Sequence, residues 1–241
     1  MIKTLLMRLL FTLLLLVSTI CSYAQIEKIK AARFTSIRSF GPFKVTLIKA
    51  EAAGAEIDYQ GLDPEDVLIK CDDRELHIKL RNQSFLDFNG DQYKSRNKPY
   101  AIVTIYYTSL DNIEAKAGTI IVAEETIVAK NLTLISKMGA EMRLDIKTER
   151  LELDSSMGSE VELTGTATTA DIKSKMGSNV NASMLQSQKV TVTSSMGSEV
   201  SVFAENELNA SADFGASISY KGNPRHKSTS RFLGAEVNPK K

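Results

Sequence analysis

A seven-residue phrase built on Ser-x-Met-Gly-Ser-x-Val returns at nearly fixed intervals through the second half of the chain. It reads Ser-Lys-Met-Gly-Ala-Glu-Met at 136–142, Ser-Ser-Met-Gly-Ser-Glu-Val at 155–161, Ser-Lys-Met-Gly-Ser-Asn-Val at 174–180 and Ser-Ser-Met-Gly-Ser-Glu-Val at 194–200. Looser copies stand at 115–121, 212–218 and 231–237, with Ala117, Phe214 and Leu233 in place of Met. The repeat glycines are Gly118, Gly139, Gly158, Gly177, Gly197, Gly215 and Gly234, in steps of 21, 19, 19, 20, 18 and 19 residues. Self-similarity at such a period marks a repeat architecture, in which one unit cannot bury its apolar face alone and stacked units share a continuous core.

The residues around each glycine alternate with period two. Before it come Leu132 and Leu134, Leu151 and Leu153, Ala170 and Ile172, Val190 and Val192, Leu208 and Ala210, with polar residues between them. After it come Met142 and Leu144, Val161 and Leu163, Val180 and Ala182, Val200 and Val202, Ile218 and Tyr220. That is strand alternation, one face inward and one toward water. Each repeat is therefore two short strands joined at a glycine corner, and stacking gives an all-β parallel β-helix, a β-solenoid of about 19–21 residues per coil. At the corner, Gly supplies a positive φ or a close backbone approach. Ser or Ala beside it leaves room for corners to stack, and the preceding Met, Phe or Leu is expected to plug the core. Structural punctuation is the favoured reading of these corners over a ligand site.

Upstream lies a less regular β region, with strands expected at 43–48, 56–59, 67–71, 75–80 and 101–107. Between the last two runs a long segment, 81–99, and loops of that length are functional or disordered. It combines Phe85, Phe88 and Tyr93 with Lys94, Arg96 and Lys98, a candidate partner surface set against the alternative of a plain excursion. The expected organisation is a signal peptide at 1–24, an N-terminal β region or cap at 25–110, solenoid repeats at 111–237 and a tail at 238–241. The signal reading rests on Lys3 and Arg8, the apolar run 9–20, and Ser22-Tyr23-Ala24 before Gln25. Cys21 offers a lipoprotein alternative, disfavoured by the bulky Ile20 before it. Cleavage at Ala24 leaves Cys71 as the only cysteine, expected as a buried structural thiol, so packing and backbone hydrogen bonds must hold the fold. No later stretch is apolar enough for a transmembrane helix. The protein is thus expected to be exported, to the periplasm or the outer cell surface.

Chemistry is sparse. The chain has 30 basic and 29 acidic residues, without the basic stripe that marks a nucleic-acid partner. Its two histidines, His77 and His226, lie apart, so metal-ligand and triad spacings are missing and no cofactor is expected. Two residues after the repeat glycines stand Glu141, Glu160, Asn179, Glu199, Ser217 and Glu236. Stacked coils turn these into a surface ladder in which Glu141 and Glu160 are adjacent, and Glu141, Glu160 and Glu199 form a candidate carboxylate ladder for binding or cleaving a glycan. Asn179 and Ser217 interrupt it, and Lys116, Lys137 and Lys175 stand close enough to neutralise it. A solvated face is the simpler reading.

The Ser-x-Met-Gly-Ser-x-Val phrase, with Phe34-Thr35-Ser36-Ile37, Gly41-Pro42-Phe43-Lys44-Val45 and Tyr220-Lys221-Gly222-Asn223-Pro224, resembles the bacterial auto-transporter adhesin head GIN domain family over about 34–237. The resemblance implies a right-handed parallel β-helix at the cell envelope and carries no catalytic residues with it. The expected role is a non-enzymatic envelope protein, an adhesin or protein-interaction module, with an envelope protein or glycan as partner. A glycan-active β-helix and a self-associating structural component are the alternatives.

Overall fold

The computed structural model describes residues 26–60, 62–81 and 100–240. These form one 17-stranded sheet wound into a β-solenoid of about seven turns. The irregular region supplies β1 (Ile26–Lys30), β2 (Ser36–Phe40), β3 (Phe43–Lys49), β4 (Gly54–Gln60), β5 (Val67–Asp72), β6 (Glu75–Leu80) and β7 (Tyr100–Tyr107). The repeats supply β8 (Asn112–Lys116), β9 (Ile120–Ala123), β10 (Ile127–Lys137), β11 (Glu141–Ser156), β12 (Glu160–Lys175), β13 (Asn179–Ser195), β14 (Glu199–Asp213), β15 (Ser217–Lys221), β16 (His226–Phe232) and β17 (Glu236–Pro239). The expected strands at 43–48, 56–59, 67–71, 75–80 and 101–107 correspond to β3 through β7.

Each coil contributes one strand segment to each of two walls, before and after its glycine corner. On the first wall, β6, β2, β8 and β10 stack in parallel, followed by the C-terminal halves of β11 to β14 and then β16. On the second, β7, β3 and β9 are followed by the N-terminal halves of β11 to β14, then β15 and β17. The repeat-like stacking thus reaches upstream of Gly118 into β2–β3, whose corner is Gly41-Pro42 and lacks the Met-Gly phrase. Antiparallel strands close that end: β5 lies on β6, and β4 and β1 follow β7. They cover a parallel edge that would otherwise present unpaired N–H and C=O groups.

The alternating apolar residues face inward as their periodicity requires. Leu132, Leu134, Leu151, Leu153, Ile172, Val190, Val192 and Leu208 from the first wall, and Met142, Leu144, Val161, Leu163, Val180, Val200, Val202 and Ile218 from the second, are all buried. The core continues through Val45, Leu47, Leu76, Ile78, Val103 and Ile105. Each such side chain contributes about 1.5–3 kcal/mol by leaving water, so the whole stack depends on the columns staying in register.

At the corners the two walls converge to a wedge too narrow for a large side chain. Serines fill it. Ser155, Ser174 and Ser194 pair across the apex with Ser159, Ser178 and Ser198, at Oγ–Oγ distances of 2.9, 2.8 and 2.8 Å. Ser159, Ser178 and Ser198 also donate to the carbonyls of Ser136, Ser155 and Ser174 in the preceding coil, at 2.8, 3.1 and 2.9 Å. Their hydroxyl oxygens accept from the N–H groups of Ser156, Lys175 and Ser195. All of these serines except Ser195 are buried. Orphaning such a group costs about 1–3 kcal/mol, which explains a hydroxyl where only space seemed to be required.

Candidate functional site: the corner edge

Both tip residues of each corner have positive φ. Met138, Met157, Met176 and Met196 lie at 57°, 57°, 54° and 55°, and Gly139, Gly158, Gly177 and Gly197 at 67°, 68°, 67° and 68°. Ala117, Phe214 and Leu233 share the conformation with Gly118, Gly215 and Gly234. Two consecutive left-handed residues define a type I′ turn. Thr119 N–H to Lys116 O (3.3 Å) and Ala216 N–H to Asp213 O (3.2 Å) close it at two corners. A Cβ at any of the seven glycines would meet nothing within 4 Å, so positive φ, and not close approach, is what each supplies.

That turn overturns the expectation that Met, Phe or Leu plugs the core. Alternation carried forward from Ser136 would turn residue 138 inward. The left-handed pair turns one inward position out without changing the parity, so Met138 projects into water and Ala140 is the next inward residue. Met138, Met157, Met176 and Met196 are 38, 49, 44 and 55 % exposed, and Phe214, Phe232 and Leu233 are more than half exposed. Gly139 N–H donates to Met157 O (3.0 Å), Gly158 to Met176 (3.1 Å), Gly177 to Met196 (3.0 Å), Gly197 to Phe214 (3.1 Å) and Gly215 to Leu233 (3.0 Å). The tips therefore stand in one straight row along the thin edge of the solenoid. Phe214 and Phe232 make an edge-to-face contact with centroids 5.9 Å apart. The sequence signal for this row was the serine on each side of Met-Gly, since two small polar residues flanking a turn mark an apex with no room inside.

The carboxylate ladder stands beside this row. Glu141 is opposite Glu160, Glu160 opposite Asn179, Asn179 opposite Glu199, and Ser217 and Glu236 follow. Glu141 is engaged by Arg143, whose Nε also lies 3.8 Å from Glu162. The neutralising role expected of lysines is taken here by Arg143: Lys116 pairs with Glu114, and Lys137 with Asp154 at 2.8 Å. Among the described residues no cluster of three or more His, Cys, Asp and Glu could hold a metal ion.

Phe85, Phe88, Tyr93, Lys94, Arg96 and Lys98 lie outside the described residues, as do the expected signal segment and Cys21. Of the strands on either side of 81–99, β6 ends beside Phe40 and β7 begins beside Phe43, the residues flanking the Gly41-Pro42 corner. Cys71 is half-buried, less enclosed than expected. Its thiol donates to the Ala32 carbonyl at 3.6 Å, and burial pushes its pKa up, which disfavours the nucleophilic thiolate. Among the described residues no helix is long and apolar enough to cross a membrane.

A two-walled parallel solenoid with one apolar edge places this chain among the β-solenoid proteins. The chain belongs to the family described as "putative auto-transporter adhesin, head GIN domain", matched over residues 33–224. No curated protein matches it. Among solved structures, a putative adhesin from Bacteroides fragilis is similar at 20 % identity and a TM-score of 0.77, covering 89 % of this chain and 96 % of that one. A putative adhesin from Parabacteroides merdae gives 16 % and 0.65, and a putative lipid binding protein from Parabacteroides distasonis 15 % and 0.66, each covering 90 % of this chain and 96 % of the other. At these identities the likeness is one of fold.

Proposed function

We propose that this protein is an exported, non-enzymatic contact module of the cell envelope, and that it attaches to its partner through the corner edge. The observation that carries the reading is the solvent-exposed row Met138, Met157, Met176, Met196, Phe214 and Leu233. These side chains present on the order of 500 Å² of apolar surface, the size of the largest patch on a typical monomer, which is often functional. Folding does not account for them. The first tip position of a type I′ turn favours Asn, Asp or Gly, and an apolar residue there stays outside the core with 38–59 % of its surface exposed. Methionine is a frequent choice on surfaces that must adapt to a partner, because its unbranched chain repacks easily. Membership in a family described as adhesins is consistent with this use.

The turn chemistry also provides the test. Asparagine suits the left-handed tip, so replacing Met138, Met157, Met176 and Met196 together with Asn removes four of the six apolar tips without straining the corners. The variant is expected to melt at or above the wild-type temperature and to bind intact cells or envelope fragments of the source bacterium at least ten-fold more weakly. Equal attachment by the folded variant overturns the reading.

A further inference from the structure

We propose that the thioethers of Met138, Met157, Met176 and Met196 form a binding ladder for a soft monovalent cation, Cu(I). The inference uses the same edge as the docking surface but does not depend on docking. The edge as a whole asks only for apolar tips, as Ala117, Phe214 and Leu233 demonstrate; four consecutive sulfurs in the middle go beyond that.

Thioether sulfur is a soft ligand that selects Cu(I) among the biological metals. The four methionines share one backbone conformation, with φ between 54° and 57°, so their side chains leave successive corners in the same direction. Corner-to-corner hydrogen bonds hold them in register, which spaces neighbours by about 4.8 Å. Two sulfurs facing each other across a metal, each about 2.3 Å away as in a zinc–thiolate bond, sit about 4.6 Å apart. The coil repeat therefore matches the span of a sulfur–metal–sulfur bridge between adjacent coils, and methionine's three side-chain torsions take up the remainder. Each of the four side chains stands on a tip, outside the buried core. Glu160 and Glu199, one row away on the second wall, offset the charge of exposed Lys175 beside Met176. The cation arrives monovalent and exchanges its previous ligands for thioethers; no electron is transferred.

Silver(I) serves as a redox-inert probe, and Cu(I) held by a competing chelator as the second. Both are titrated into the purified protein in a Cys71→Ser background, so that the thiol does not compete. One or two ions per chain are expected to bind, shifting the ε-methyl resonances of the four corner methionines while those of buried Met142 and of exposed Met184, away from the corners, stay in place. Replacing Met157 and Met176 with Leu should weaken binding at least ten-fold, and replacing all four should abolish it. Leucine keeps the row apolar, so attachment to cells should survive that change, whereas the asparagine variant loses both. Undiminished uptake by the four-leucine variant, or methyl shifts confined to other methionines, overturns the proposal and leaves the docking reading untouched.

Discussion

Glycines that look equivalent in the sequence are required for different reasons. At Gly158 the backbone is left-handed but the space around a new Cβ is open, so Gly158→Ala should lose only the conformational preference, about 1 kcal/mol. Gly165 has φ 105°, and a Cβ there would overlap the Ile146 carbonyl in the adjacent coil. Gly165→Ala must displace the β11–β12 ladder and should cost at least about twice as much, because steric overlap adds to strain. Urea midpoints of the two variants check this; equal losses would mean that the coils shift apart easily. Nothing in the sequence distinguished Gly165, which sits outside the repeated phrase. Its role depends on a neighbour 19 positions upstream, visible only once the coils are stacked. Met138 and its counterparts were misplaced for the opposite reason: the period-two rule was applied through a turn that interrupts it.

At the level of strands, the repeats were legible because both signals agree there, a fixed spacing between glycines and strict alternation between corners. β2 and β3 carry the alternation without the phrase, so their place in the parallel stack did not emerge from the sequence. The antiparallel cap also needed the structure, since β1 and β4 meet through pairings with no local signature. One side-chain contact across that pair offers a handle. Tyr59 on β4 donates its hydroxyl to Glu27 on β1 at 2.7 Å, and burial together with this carboxylate pushes the phenol pKa up to about 12 from an ordinary value of 10. The neutral phenol is the form favoured by folding. Its contribution is therefore complete below pH 10 and is lost as the pH rises through 12. Thermal melting of wild type and Tyr59→Phe should show wild type more stable at pH 8, with the difference disappearing between pH 10 and 12. A gap that is constant with pH would mean that the contact does not form in solution.

Across the whole molecule, the two ends of the solenoid are finished differently. The first is closed by antiparallel strands. At the other, the inward column Leu208, Ala210 and Ala212 passes in register to Lys227, Thr229 and Arg231 of β16, all of them exposed. Lys227 turns back over the last aromatic of the core, donating to the Tyr220 hydroxyl at 3.1 Å with its ammonium 5.5 Å from the ring centre. Charged inward positions on an outermost strand are a known defence against edge-to-edge association. Changing Lys227, Thr229 and Arg231 to Leu, Val and Leu should extend the apolar column to this edge and produce concentration-dependent association in sedimentation experiments. The same number of changes on the outward side, at Ser228 and Ser230 with His226, should leave the protein as it was. Association caused equally by both sets would show that general hydrophobicity, and not the finish of the column, governs it.

The corner tips, finally, accept different side chains on one backbone geometry. A Met, a Phe, a Leu or an Ala occupies the same backbone geometry within this single chain, at Met157, Phe214, Leu233 and Ala117. Exchanging one of these for another leaves the corner geometry as it is, so selection can change one tip at a time on the same backbone. Descendants of such a chain can acquire new binding preferences by rewriting a short line of adjacent letters, with the scaffold beneath them inherited intact.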